Sequence, residues 1–499
     1  MTLGLALTER GAKHLDHHPE LRAPGASDTK TQHLLRRYYD TSSYDLARAG
    51  LRLCVTRSGN MIFQTMETTR TSGVAMRRDE WEWELQNDQP DFTLLTAVLT
   101  AKPLPPPTDL QEISVTDLKR VVRTLHLAPD TIVRASFDEG TMEAGATVEP
   151  VRDLQLELLN GEAGAVYRLA LRLHAENPLS VMIDSPAARG FRRAAGKSPS
   201  SQQSGSIKLS AASSGAEAFA RLVAACLNHL LVNQPAALAG SVEGIHQMRV
   251  AIRRLRALLA LYKPALDPRR LEHFDKELKR IGRIFGQARD WDVFCTELLP
   301  QASRQTDLGD VVTALKAAAE HRRHATREAF MTECRSQKFT ATVLELAAWV
   351  EAGRFRPDLL GRAKLAQKLQ LLAPRWLDRL ARKVKSRGQN ISRHNNTELH
   401  ELRKSIKKLR YGIEFTESLF PLAKTRPYQK RCKALQETLG LINDSFTSVE
   451  LARTLVRDAP IDLPALSALA EYQKKQRQSG LDDLTKTWKA FRREKRFWS

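Results

Sequence analysis

The chain has 499 residues, 42% of them hydrophobic, and a net charge of +21. It is rich enough in apolar residues for a packed core and too long for one ordinary domain. Its five cysteines (Cys54, Cys226, Cys295, Cys334 and Cys432) lie far apart with no CxxC. That spacing suggests neither a disulfide framework nor a zinc site, and it fits a reducing compartment.

The start, "MTLGLALTERGAKHL", lacks the basic and apolar regions of a secretion signal. No apolar run is read as reaching membrane-spanning length, so the expectation is a soluble cytoplasmic protein with no membrane span. From Leu51 onward strand signals dominate. "LRLCVTR" (51–57) and "MIFQTME" (61–67) flank the turn "SGN" as a hairpin. "EWEWEL" (80–85) alternates Glu80, Glu82 and Glu84 with Trp81, Trp83 and Leu85, which puts carboxylates and tryptophans on opposite faces of a strand. "LQLELL" (154–159) is another strand, and "AGAVYRLALRLHAE" (163–176) is a helix. These elements predict an α+β domain with antiparallel strands over 1–192.

Residues 192–208, "RRAAGKSPSSQQSGSIK", carry no apolar periodicity and read as a linker, placed at 193–206. The charge changes at the same point. Residues 201–499 hold 54 Lys+Arg against 31 Asp+Glu, a net of +23, leaving 24 against 26 before them. A domain that basic attracts polyanions. Beyond the linker apolar residues recur three and four apart, in "AEAFARLVAACLNHLLVNQ" and "LEHFDKELKRIGRIF", so 207–499 is expected to be all-α. Thr397 is the expected N-cap of the helix carrying "HELRKSIKKLRYGIEF".

One word occurs twice there, as "HQMRVAIRRLR" from His246 and "HELRKSIKKLR" from His400. His400, Gly440 and Asp444 each stand 154 residues after His246, Gly286 and Asp290. Equal offsets at separated landmarks indicate tandem duplication, predicting two bundles of about four helices over 207–350 and 360–499.

In each copy the His and the residues at +3, +7 and +10 share one helical face: His246, Arg249, Arg253 and Arg256, then His400, Arg403, Lys407 and Arg410. No acid interrupts the first row, so helix-stabilising pairs are missing from it. A self-repelling row of arginines and histidine suits an external anion, with Arg able to grip phosphate oxygens bidentately. The plainer reading is a solvated helix face. Asp290, Asp292 and Asp444 serve as partners that hold the cations in register or as ligands of a bridging cation; the former reading is preferred. The first motif lacks the interleaved aromatics of base-stacking proteins, and Tyr411 is the exception in the second.

At these words the chain resembles the CHAD family, the conserved-histidine α-helical domain, over about 207–499. The resemblance implies paired four-helix bundles around a basic groove that binds inorganic polyphosphate, with association to polyphosphate granules. It places His246, Arg249, Arg253, Arg254, Arg256, His400, Arg403, Lys407, Lys408 and Arg410 in that groove, which needs no cofactor. The N-terminal part resembles the CYTH, or triphosphate-tunnel, family through "YYDTSSYDLARAGLRLCVTR", "DEWEWEL", "SFDEGTMEAG" and "LQLELLNGEAGAVYRLALRL". That resemblance implies an eight-stranded tunnel in which cations grip a triphosphate and acids hold Mg²⁺ or Mn²⁺; Glu80, Glu82, Asp138 and Glu157 are the surviving acids. Thr2 and Gly4, Cys54 and Thr56, and Glu67 stand where the family carries Glu and Lys, two Arg, and Lys; Arg134 and Gln155 replace acids. The expectation is a degenerate tunnel serving as scaffold beside a polyphosphate-binding domain. The alternatives are a metal-dependent inorganic triphosphatase with a polyanion-recruiting arm, and a nucleic-acid-binding protein.

Overall fold

A computed structural model describes the chain except residues 16, 23–28, 101–108, 128–129, 305–308, 354, 356–357, 459–462 and 499. Two compact units emerge. The first comprises Met1–Ser201, Leu231–Ala239 and Cys334–Gly353; the second comprises Gln202–Leu230, Gly240–Glu333 and Arg354–Ser499.

The first unit is built on strands β1 (Thr2–Leu7), β2 (Lys30–Thr41), β3 (Leu51–Ser58), β4 (Met61–Ser72), β5 (Ala75–Glu84), β6 (Leu110–Leu127), β7 (Thr131–Ala144), β8 (Thr147–Asn160) and β9 (Leu179–Val181). All pair antiparallel in the order β5-β4-β3-β2-β6-β7-β8-β1-β9. β5 also meets β1, with Thr2 opposite Met76, so the sheet curls until its sides join. Eight strands form the ring expected from the sequence, and β9 flanks β1.

Period-two alternation decides what faces inward. On β8, Leu154 and Leu156 are buried outward, while Gln155 and Glu157 face the interior. On β5, Glu80 and Glu82 face inward and Trp83 packs with the Tyr39, Leu53 and Met66 cluster. Short helices α1 (Glu9–Leu15), α2 (Asp45–Arg48), α3 (Thr96–Thr100), α4 (Ala163–Glu176) and α5 (Pro186–Ala194) complete this part. α5 extends through the first residues of the expected linker, where Arg193 donates to Glu149 at 2.7 Å.

The remaining helices are α6 (Gly215–Val232), α7 (Gln234–Leu238), α8 (Val242–Tyr262), α9 (Pro268–Val293), α10 (Leu299–Ser303), α11 (Gly309–Arg335), α12 (Gln337–Glu351), α13 (Leu359–Ala366), α14 (Leu369–Arg387), α15 (Asn396–Thr416), α16 (Leu422–Asp458) and α17 (Leu463–Arg493). α14, α15 and α16 begin at 369, 396 and 422, each 154 positions after α6, α8 and α9 at 215, 242 and 268. α11 and α17 are described from 309 and 463, the same offset. The expected duplication is therefore visible helix by helix.

Its physical basis is a shared stripe. Ile245, Met248, Ile252, Leu255 and Leu259 of α8 recur as Leu399, Leu402, Ile406, Leu409 and Ile413 of α15, all essentially buried. Burying each such side chain stabilises the fold by about 1.5–3 kcal/mol. Asn395, not Thr397, caps α15. It accepts from Glu398 N at 2.9 Å, and the Glu398 carboxylate accepts from Asn395 N at 2.8 Å. The sequence reading passed over this capping box because Thr397 also suits a cap.

Two further expectations change. Leu231–Ala239 and Cys334–Gly353 group with the sheet rather than with the helical unit, because α12 lays an apolar face on α4. Gln337 and His174 exchange hydrogen bonds there at 2.8 and 3.2 Å. Helical periodicity reveals an apolar face without naming its partner. In addition, Gly215–Leu238 is long and apolar enough to cross a membrane by length and composition, although 56% of its most apolar window is buried within the protein.

Gly140 on β7 admits no side chain, since a Cβ there would lie 1.9 Å from the Asp117 carbonyl oxygen of β6. Gly140→Ala is expected to force β6 and β7 apart and destabilise the curled sheet by about 1–3 kcal/mol. Urea unfolding of the full chain, followed by circular dichroism, checks this. An unchanged transition would contradict the tight register.

Candidate functional site

The core stripes of α8 and α15 fix the neighbouring face of each helix. His246, Arg249 and Arg253 each follow a core residue by one position, as do His400, Arg403 and Lys407. α8 and α15 touch, and Arg253 donates from Nε and Nη2 to the Tyr411 hydroxyl at 3.0 and 2.7 Å. Its guanidinium lies 5.9 Å from the Tyr411 ring centroid. The two repeats are thereby joined at the site itself.

Each repeat contributes one acid in the same place. Asp290 on α9 pairs with Arg249 at 3.1 Å, and Asp444 on α16 approaches Arg403 at 3.6 Å. The sequence reading of these acids as partners agrees with these contacts. Asp292 is different: it is fully buried and holds Arg323 and Arg327 of α11 at 2.8 and 2.7 Å. It belongs to the scaffold.

Four cations therefore share two acids. The effect is strongest at Lys407, whose pKa falls to about 6 through burial and through repulsion from Arg403, Arg253 and Arg249, only partly offset by Asp444. Burial also lowers the pKa values of Arg249 and Arg403. His246 is pushed down to about 4 by burial, then by Arg289, with Arg253 and Arg249 adding to the effect. It is neutral near pH 7, and its Nδ1 is buried without a hydrogen-bond partner. Arg403 Nε is likewise buried and unpartnered. Buried polar atoms normally find partners, so these atoms mark where one is missing. The arrangement can receive an oxyanion.

Not every expected residue joins this cluster. Arg254 is only 3% exposed, 4.0 Å from Glu414 and with its guanidinium 5.6 Å from the Phe415 ring centroid. It lies inside the helical core. Arg256 pairs with Asp275 at 3.1 Å, and Arg410 with Glu414 at 3.2 Å. Lys408 is exposed, with a pKa lowered by burial of its stem and by Lys383, Arg256 and Arg387. His400 donates from Nδ1 to Asn443 Oδ1 at 2.9 Å. Arg254 and Lys408 were expected there only from the family resemblance, and each points about 100° away from Arg253 or Lys407 on its helix. Arg289, Asn443 and the Tyr411 hydroxyl were missed as site components, although Arg289 and Asn443 immediately precede the paired aspartates.

The sheet unit encloses a second candidate, a cavity of about 740 Å³. The positions Cys54, Thr56, Glu67, Arg134 and Gln155 do line it, as do Glu80, Glu82 and Glu157. Gly4 does not; its neighbours are the Met76 and Met182 methyl groups. Arg36 and Arg120 also face the cavity, which the sequence reading missed. Arg120 is engaged bidentately by buried Asp138 at 2.6 Å, and Arg134 by Glu157 at 2.9 Å. Cys54 is an inert thiol, pushed up to about 11 by burial. Burial works against the Arg36 charge, yet Tyr38, Cys54, Asp138 and Glu67 together raise its pKa.

Among the described residues, no group of three or more His, Cys, Asp or Glu is placed to hold a metal ion. Asp138 and Glu157 are each taken by an arginine. The four acids suggested by the sequence thus do not fit a Mg²⁺ or Mn²⁺ centre as they stand.

Residues 221–453 match the CHAD domain family, and this part of the chain is a CHAD domain. The crystal structure of the CHAD domain from the plant Ricinus communis is similar at a TM-score of 0.53 and 26% identity, covering 60% of this chain and 98% of that one. An uncharacterized protein of Mycobacterium tuberculosis H37Rv is 26% identical over 322 residues, 62% of this chain and 58% of that protein's length. A putative adenylyl cyclase from Hippeastrum, described as having a dominant triphosphatase activity, matches with a TM-score of 0.30 and 16% identity, over 39% of this chain and 95% of that one.

The crowding at Lys407 has a consequence for stability. Its folded pKa of about 6 lies below the ordinary 10.5, so between those values the unfolded chain binds more protons. The destabilisation is complete below pH 6 and fades as pH rises. Lys407→Met is expected to raise the unfolding midpoint most at about pH 6, with the gain shrinking by about pH 9. Parallel pH dependences for the two proteins would contradict the crowding.

Proposed function

We propose that the helical unit binds inorganic polyphosphate across α8 and α15, with the curled-sheet unit as its scaffold. The carrying observation is Lys407, held among Arg249, Arg253 and Arg403 with too little acid to balance them. A chain of phosphates supplies regularly spaced oxyanions that neutralise the three arginines and favour the protonated form of Lys407. The CHAD family is associated with this ligand, and the match over 221–453 supports it here. Such a protein would associate with polyphosphate granules in the cytoplasm, and binding would need no cofactor. Nucleic acid presents phosphates too, but the cluster's aromatic ring, Tyr411, is buried. That disfavours base stacking.

Binding of long-chain polyphosphate to the full chain across a salt series tests this. Affinity should fall steeply with salt, and Arg253→Ala and Lys407→Ala should each weaken it by roughly tenfold while flattening the salt slope by about one unit. Unchanged affinity in both folded variants would return the row to ordinary surface. A DNA duplex that competes equally at the same salt would favour the nucleic-acid reading.

The triphosphatase reading is opposed by the cavity's internal pairing. Arg120 and Arg134 are engaged by acids, and Glu67 stands where a phosphate-gripping cation is expected. Tripolyphosphate turnover with Mg²⁺ or Mn²⁺ is expected to stay at background. A metal-dependent rate that disappears in Glu80→Gln would reverse that conclusion.

A further inference from the structure

The two repeats supply equivalent half-sites whose charges differ around the histidines: Glu243 becomes Thr397, Gln247 becomes Glu401 and Arg289 becomes Asn443. His246, Arg249 and Asp290 recur as His400, Arg403 and Asp444; Arg253 recurs as Lys407, which keeps a cation. Arg289, 154 residues before Asn443, is replaced by a neutral amide. Asn443 hydrogen-bonds His400 Nδ1 at 2.9 Å. Arg289 can only donate, and His246 Nδ1 is left without a partner. The α16 position shows that the fold accepts a short neutral residue there, so helix packing does not demand the arginine. Arg289 is largely buried, at 14% exposure. Its ion pair with Glu297, at 2.9 Å, joins it to a half-exposed acid. It is also the foremost charge acting on His246.

A linear phosphate chain contains two kinds of phosphate. Inner ones carry one ionised oxygen. A terminal one has a second oxygen that titrates near about pH 6, and so bears close to two negative charges near neutrality. The geometry points to the first-repeat half-site, His246, Arg249 and Arg289, as a subsite for the chain-terminal phosphate, with the second-repeat half-site receiving inner phosphates. This rests on the polyphosphate reading and adds an orientation to it: chain ends are selected, and Arg289 is the residue that selects them. The unpartnered His246 Nδ1 gives the extra oxygen a contact that His400, already tied to Asn443, does not offer through the same atom.

Linear tripolyphosphate and cyclic trimetaphosphate, which has no terminal phosphate, discriminate the idea when each competes with long-chain polyphosphate on the full protein. Wild type should prefer the linear compound. Arg289→Asn should weaken linear binding by about tenfold and cyclic binding far less, so that the preference collapses. Asn443→Arg should strengthen linear binding selectively. Arg256→Gln removes the same charge away from the half-site and should leave the linear-to-cyclic ratio unaltered. Equal losses for both ligands in Arg289→Asn, or an unaltered ratio in Asn443→Arg, would overturn the end-selective subsite while leaving polyphosphate binding standing. If wild type binds none of the three compounds, the polyphosphate reading falls and the subsite with it.

Discussion

Repulsion among Arg249, Arg253, Arg403 and Lys407 is the constraint around which the helical unit is arranged. Like charges separate when the chain allows it. Here each side chain is anchored one position from a core residue, and the buried stripes of α8 and α15 cannot turn without exposing Ile245, Leu255, Leu402 or Leu409. Hydrophobic burial thus holds the cations close, and Asp290, Asp444 and the Tyr411 hydroxyl orient them without cancelling them. Lys407 registers the imbalance most clearly. On the proposed reading a bound oxyanion would relieve it and partner the buried His246 Nδ1 and Arg403 Nε.

The curled sheet makes a contrast. Its cavity also contains arginines, but Arg120 and Arg134 face acids on the adjoining strand: Asp138 lies opposite Arg120 across β6 and β7, and Glu157 opposite Arg134 across β7 and β8. Cross-strand pairs of opposite charge stabilise a sheet. They also consume the groups that would grip a phosphate chain. The two units thus represent different uses of basic residues, neutralised within the sheet and left in excess between the helices.

The duplication and the apolar stripes were legible because both are periodic. Five core positions of α8 return at one constant offset in α15, and no tertiary information is needed to see it. The strands around Cys54, Glu67 and Glu80 were legible from alternation. Arg36 and Arg120 were not, because the ring's inward positions depend on which strands meet and in what register. Arg254 was expected in the groove only from the family resemblance, and its helical angle points it at Glu414 and Phe415 instead. The placement of α12 on α4 joins segments more than 150 residues apart, a pairing that no local pattern encodes.

The central claim, that crowded cations are relieved by a bound phosphate chain, has a thermodynamic signature in protons. Lys407, depressed to about 6, and His246, depressed to about 4, should both shift upward when oxyanions neutralise their surroundings. Titration calorimetry of long-chain polyphosphate at about pH 7.5, in two buffers of different ionisation enthalpy, measures the exchange directly. The account predicts net proton uptake on binding, reduced in Lys407→Met. Binding with no proton exchange, or with net release, would contradict it.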